Sequence, residues 1–173
     1  MPIAGERVLE LLAELAAAGV SASVDGGWGV DALLGRETRA HEDLDLVVAL
    51  ADEPAIRAAL SRSGFALHED QLPVRFVLRN AAGEQIDFHT VTFDAEGGGL
   101  QPQPGGGSFR YPPEGFVRGE IAGRSVACIS AAVQLRCHQG YQPSEKDARD
   151  MLALCERFAF RVPRGYESFI TSS

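Results

Sequence analysis

Cysteine, positive charge and long apolar runs are all scarce in this chain, and each shortage closes off a class of protein. The three cysteines, Cys128, Cys137 and Cys155, are odd in number, widely spaced and never form a C-x-x-C. They indicate neither a zinc site nor a disulfide framework, so buried free thiols in a reducing cytosol are the expectation. Lys and Arg total 16 against 24 Asp and Glu, a net charge of −8. A polyanion partner normally requires a basic footprint, so no nucleic-acid partner is expected. An acidic surface suits a cationic small molecule and helps to collect divalent metal. No segment approaches the roughly 18 consecutive apolar residues of a membrane span, so no membrane partner is expected. Glu6, Glu10 and Glu14 interrupt any apolar run near the N-terminus, which argues against a secretory leader and for a cytoplasmic protein. Internal repeats and strong domain boundaries are also absent. The 173 residues are therefore read as a single domain with enough apolar content for a core.

Residues 5–18 carry Val8, Leu11, Leu12 and Leu15 at helical spacing, and Gly19 is placed to end that helix. A short strand over 20–24 runs into Asp25-Gly26-Gly27, followed by a helix near 28–34 stopped by Gly35. A strand at 44–50 and a helix near 53–62 come next, then short strands around 65–68, 73–79 and 84–92. The last two are joined through Asn80-Ala-Ala-Gly83, a hairpin signal. Residues 94–108 hold two glycine triplets and two prolines between them, and read as a flexible loop, either a connector or a lid. They do not read as a phosphate cradle, because no helix opens after them and no Lys-Ser/Thr follows. A second hairpin over 115–129 turns at Ala122-Gly123, and helices at 130–138 and 144–158 close the chain. This order predicts an α+β fold with a mixed sheet and a helical C-terminal part.

What the sequence does supply is a glycine turn and a set of acids. In Asp25-Gly26-Gly27-Trp28 the glycines lie between strand and helix, where backbone N–H groups can approach a phosphate. Further on, Asp43 and Asp45 flank Leu44, so strand alternation sets both carboxylates on one face. Two such charges repel unless a cation joins them, and carboxylates capture hard metal ions. A third acid, Asp87 in Gln85-Ile-Asp-Phe-His89, points away from the face of Ile86 and Phe88. If the two strands are neighbours, three carboxylates converge on one polar patch, a pattern that suits a two-metal site. Asp43 and Asp45 would hold Mg²⁺ against a triphosphate, and Asp87 would hold a second metal or deprotonate an attacking hydroxyl. His89, on the same face, is a competing base. The combination points to metal-assisted chemistry on a nucleoside triphosphate.

Gly26-Gly27, Asp43-x-Asp45 and Asp87 resemble the signature of the nucleotidyltransferase superfamily. The longer string from Asp25 to Gly35, with Thr38-Arg39, His41 and Asp43-Leu-Asp45, is similar to the small antibiotic nucleotidyltransferases. These are the lincosamide nucleotidyltransferases and the aminoglycoside 2''-adenylyltransferases. Cys128-Ile-Ser130, His138-Gln-Gly-Tyr141 and Glu145-Lys-Asp147 with Asp150 resemble the lincosamide branch. The resemblance covers most of residues 20–155. It implies a nucleotidyltransferase-type mixed sheet flanked by helices, with a core over about 1–125 and a helical part over about 126–173. It also implies adenylyl transfer from ATP to a hydroxyl of a small-molecule drug, with two Mg²⁺ ions. Carried over by position, Gly26 and Gly27 line the triphosphate, Asp43 and Asp45 bind metal, and Asp87 is the base or a third metal ligand. Arg39 is the chosen phosphate contact, since a guanidinium grips phosphate bidentately, and Lys146 reaches the phosphates from the C-terminal helix. Trp28 either packs under the turn or borders the acceptor pocket, and His89, His138 and Tyr141 are further candidates for the acceptor site. A homodimer sharing that site is compatible with the resemblance. Two other readings are a nucleotidyltransferase toxin acting on tRNA or protein, and a non-catalytic nucleotide-binding domain.

Overall fold

Apolar residues recur with period two in some segments and period 3.6 in others, and these patterns become strands and helices. The computed structural model describes residues 2–170. In order, the elements are α1 (Gly5–Ala17), β1 (Ala22–Asp25), α2 (Gly26–Leu34), β2 (Leu44–Ala49), α3 (Glu53–Ser61), β3 (Ala66–Gln71), β4 (Arg75–Arg79), β5 (Gln85–Phe93), β6 (Gly99–Pro102), β7 (Ser108–Tyr111), β8 (Phe116–Ile121), β9 (Arg124–Ile129), α4 (Ala131–Cys137), α5 (Glu145–Phe158) and α6 (Glu167–Ile170). The fold is α+β. One mixed sheet has the order β3-β4-β5-β2-β1-β9-β8, and the β6–β7 hairpin continues it from the far end of β5. β2 runs parallel to β5 and β1 parallel to β9, while the other neighbours are antiparallel.

Strand alternation divides the sheet into two faces. Val24, Leu44, Leu46, Val48, Ile86 and Phe88 share one, where they pack with Val8, Leu11 and Leu15 of α1 and Ile56 and Leu60 of α3. Each fully buried side chain of this kind contributes about 1.5–3 kcal/mol. The opposite face carries Val47 and Val91, packed with Tyr111 of β7, Ile129 and Val133 of α4. Asp25, Asp45, Asp87 and His89 alternate onto that second face. Helix α2 serves both parts of the chain: Trp28 and Ala32 belong to the sheet core, whereas Val30 packs with Ala131, Leu135, Met151 and Leu154 of the C-terminal helices. The last sheet strand reaches Ile129, so the helical part begins at Ala131.

Residues 94–108 differ from the flexible loop read in the sequence, because they contain β6 and the start of β7. Thr92 and Phe93 pair with Leu100 and Gly99, and β6 then pairs with β7 from Gly99↔Tyr111 to Pro102↔Ser108. Gly99 stands against Val91, where a Cβ would come within 3.2 Å of the valine side chain, so the glycine permits the close approach. The triplet Gly105–Gly107 has positive φ throughout and forms the turn. Glycine content hid a strand whose order comes from its partner, not from its own side chains. Among the described residues no helix is long and apolar enough to cross a membrane.

Candidate active site

Three adjacent strands bring the acids together. Asp25 is the register partner of Asp45, and Asp45 is the partner of Asp87, so the three carboxylates form a row across β1, β2 and β5. The expected adjacency of the Asp45 and Asp87 strands is therefore present. Asp43 lies just before β2, exposed at the mouth of the row. Asp25 caps α2, its carboxylate accepting the Gly26 N–H at 2.8 Å. Gly26 has φ of +56°, and a Cβ there would lie 2.1 Å from Asp45 Oδ2. Only glycine lets the turn pass this close to the acid.

The row is electrostatically tense. Burial pushes the carboxyls of Asp25 and Asp87 upward, partial desolvation does the same to the more exposed Asp43, and the charge of Asp45 adds to each. Arg75 Nη1 donates to Asp87 Oδ2 at 2.5 Å and Nη2 to Glu69 at 2.5 Å, so β4 anchors the third acid. The other oxygen, Asp87 Oδ1, is buried without a hydrogen-bond partner among the described residues. Burial opposes a charge on His89, but its contact with Asp45 at 3.4 Å and the nearby Asp25 and Asp87 outweigh that and push the imidazole up to about 9. At neutral pH it is a cation and a donor. Asp45, Asp87 and His89 each bring one ligand atom within 4.8 Å of the others. Hard carboxylate oxygens, one of them buried and unpartnered, fit a hard divalent cation such as Mg²⁺, whereas a protonated imidazole does not serve as its ligand.

The residues expected on the nucleotide side gather around the start of α2. A Cβ on Gly27 would meet His41 Nδ1 at 2.3 Å and Arg39 Nη2 at 2.7 Å. His41 is fixed by Asp31, which accepts from its Nε2 at 2.5 Å and from both the backbone and hydroxyl of Thr38. Trp28 packs against His41 with ring centroids 4.8 Å apart and planes tilted by 44°; it is buried in the core and does not line the cleft. Arg39 donates to both oxygens of Asp150 on α5. Lys146, the only lysine of the chain, is exposed in the first turn of α5, and its charge is felt at Asp43.

On the other side of the row lies an open cleft of about 410 Å³. Gly26, Asp45, His89 and His138 of the expected residues line it. Tyr141 does not: it is exposed, its ring 6.5 Å from that of His138. Among the residues that the sequence reading did not single out, Asp25, Arg75, Gln101 and Tyr111 add polar groups to the walls, beside Val74, Gln103 and Phe109. Tyr111 donates to Gln101 Oε1 at 3.2 Å, and Gln101 Nε2 donates to the Val74 carbonyl at 3.1 Å. Asp25 was visible only as the first residue of the glycine motif. Arg75, Gln101 and Tyr111 carry no motif, and strand pairing alone brings them in. Cys137 also borders the cleft, its thiol pushed up to about 12 by burial and by Asp25. All three cysteines are free.

Residues 7–154 match the aminoglycoside-2''-adenylyltransferase family. A lincosamide resistance protein of Staphylococcus haemolyticus is 30% identical over 128 residues, covering 74% of this chain and 80% of that protein. A 2''-aminoglycoside nucleotidyltransferase of Escherichia coli is 33% identical over 107 residues, 62% of this chain and 56% of that one. Among solved structures, the lincomycin-bound lincosamide antibiotic adenylyltransferase LnuA superposes with a TM-score of 0.81 at 27% identity, over 89% of this chain and 98% of that chain. ANT(2'')-Ia in complex with adenylyl-2''-tobramycin shares the fold, with a TM-score of 0.73 at 21% identity over 96% and 97%.

Proposed function

The chain belongs to the aminoglycoside-2''-adenylyltransferase family, and from that premise we propose that it moves AMP from ATP, with Mg²⁺, to a hydroxyl of a lincosamide-type antibiotic. The observation that carries the chemistry is the pairing of Asp45 with Asp87 beside the Gly26 turn, with Asp87 Oδ1 buried and unpartnered. Divalent cations held by Asp43, Asp45 and Asp87 supply charge neutralisation at the phosphates when bound. Gly26 and Gly27 give the triphosphate access to the N-terminal backbone of α2, and Arg39 and Lys146 add positive charge there. The acceptor hydroxyl attacks the α-phosphorus in line and pyrophosphate leaves. Asp87 is the better base of the two candidates. Burial raises its carboxyl, and in the metal-free protein the surrounding carboxylates hold a proton on His89. The presence of ATP as co-substrate is in keeping with a cytoplasmic location.

The cleft supports the choice of acceptor. Its walls combine the aromatic rings of Phe109 and Tyr111 with the neutral amides of Gln101 and Gln103 and one buried acid, Asp25. Arg75 adds a positive charge. A partly apolar acceptor with a single ammonium suits this lining, in which Arg75 is already paired with Asp87 and Glu69. The test is pyrophosphate release from Mg²⁺ and ATP across lincomycin, clindamycin, kanamycin and tobramycin. We expect release with the first two, and its loss by about a hundred- to a thousandfold in Asp45→Asn, on the order seen when transition-state charge stabilisation is removed. Release with kanamycin or tobramycin alone would move the acceptor to the aminoglycoside class. Silence across the panel would refute the drug-modifying reading.

A further inference from the structure

Arg39 and Asp150 are 111 residues apart in sequence, yet their side chains form a two-point ion pair: Nε to Oδ1 at 3.2 Å and Nη2 to Oδ2 at 2.7 Å. Both side chains are largely buried, Asp150 almost completely, at 6% exposure. The third donor nitrogen, Nη1, is engaged by the Ala40 carbonyl at 3.2 Å. A guanidinium has five N–H groups in a rigid plane. Asp150 takes the edge formed by Nε and Nη2. The end of the fork, formed by Nη1 and Nη2, is not the edge that Asp150 takes, and it is suited to gripping a phosphate with two parallel bonds. The guanidinium lies over the glycine turn, since a Cβ on Gly27 would meet Nη2 at 2.7 Å.

The helix that carries Asp150 is itself well fixed. Ser144 and Asp147 form a reciprocal capping box at its start, and Ala148, Met151 and Leu154 pack against Val30 of α2. Lys146 and Asp150 are four residues apart, so they share one face of α5. That face is turned toward Arg39 and Asp43.

We propose that Asp150 is a positioning residue: it holds the Arg39 fork over the Gly27 turn with its free edge ready for the triphosphate. Through this contact Asp150 sets nucleotide affinity without itself touching the nucleotide. The inference rests on the reading of Arg39 as a phosphate contact given under Proposed function. It goes further by naming what aims that contact.

The experiment is calorimetric binding of Mg·ATP, without acceptor, to wild type, Asp150→Asn, Arg39→Ala and the double variant, with steady-state kinetics alongside. Asp150→Asn should weaken ATP binding about tenfold, the size expected when a charged hydrogen bond is lost. The KM for ATP should rise by the same factor while the KM for the acceptor stays unchanged. The double variant should bind no more weakly than Arg39→Ala alone, because Asp150 acts only through Arg39. Should Asp150→Asn lose its melting transition, Arg39→Lys provides the second route: it keeps the charge, cannot make the fork, and should lose the same tenfold. Wild-type affinity in a folded Asp150→Asn or in Arg39→Lys would overturn the inference, as would additive losses in the double variant. A wild type that fails to bind ATP would instead sink the proposed function and this inference with it.

Discussion

Carboxylates set close together in a fold are unfavourable on their own, and the residues around Asp45 show how this chain accommodates them. His89 is the clearest case. Its imidazole titrates at 6.5 when unperturbed and up to about 9 in the fold, because Asp25, Asp45 and Asp87 surround it despite the opposing effect of burial. A group whose folded pKa is raised lends stability that is complete below the unfolded value and lost as pH climbs through the folded one. We therefore expect the melting temperature of the metal-free protein to decline between pH 6.5 and 9, and to decline less steeply in His89→Gln. Parallel slopes in the two proteins would show that His89 does not carry the effect. The raised carboxyls of Asp25, Asp43 and Asp87 act in the same sense: ionising them in the fold costs stability, which returns as pH falls through their raised values. Among these residues Asp43, Asp45, Asp87 and His89 were legible in the sequence, because alternation assigns a face to each. Asp25 was legible only as part of the glycine motif, since its place beside Asp45 depends on a strand pairing that no local pattern encodes.

At the scale of elements, local chemistry decided most boundaries. The Ala122-Gly123 turn shows this clearly: both residues have positive φ, +47° and +73°, as a tight hairpin between β8 and β9 requires. Alanine is strained there, and asparagine tolerates the same conformation. Ala122→Asn should therefore raise stability by up to about 1 kcal/mol, measured by denaturant titration, with turnover unchanged. An unaltered or lower midpoint would mean that the turn is not limited by alanine. The β6–β7 hairpin is the opposite case. Its strands are only four residues each and are set among glycines, too short to show the periodicity that marks β5. They are ordered by hydrogen bonding to the end of β5 and by Tyr111 packing against Val47 and Val91, interactions that lie outside any local window. The 94–108 segment, read as a connector or a lid, supplies Gln101 and Gln103 to the cleft, and Phe109 and Tyr111 follow directly after it.

For the whole molecule, the helical part and the sheet meet through α2, whose N-terminus is the glycine turn and whose flank packs on α5. Ligand binding at that turn should therefore stabilise the molecule as a unit. Mg·ATP at a hundred times its dissociation constant should add about 2.7 kcal/mol, a rise of several degrees in melting temperature. Asp45→Asn should show little of it, and an equal rise in that variant would place nucleotide binding elsewhere. The sequence by itself determined the glycine turn, the order of the acids and the type of nearly every element, because these follow from periodicity and from residues with special backbone freedom, which act over a few positions. Only the tertiary structure decided that Asp25, Asp45 and Asp87 stand in one row, that Arg75 holds one end of it, and that Asp150 reaches across 111 residues to Arg39. Those relations depend on which strands pair and how α5 packs. Both are settled by burial of apolar area over the whole chain, which no short stretch of it records.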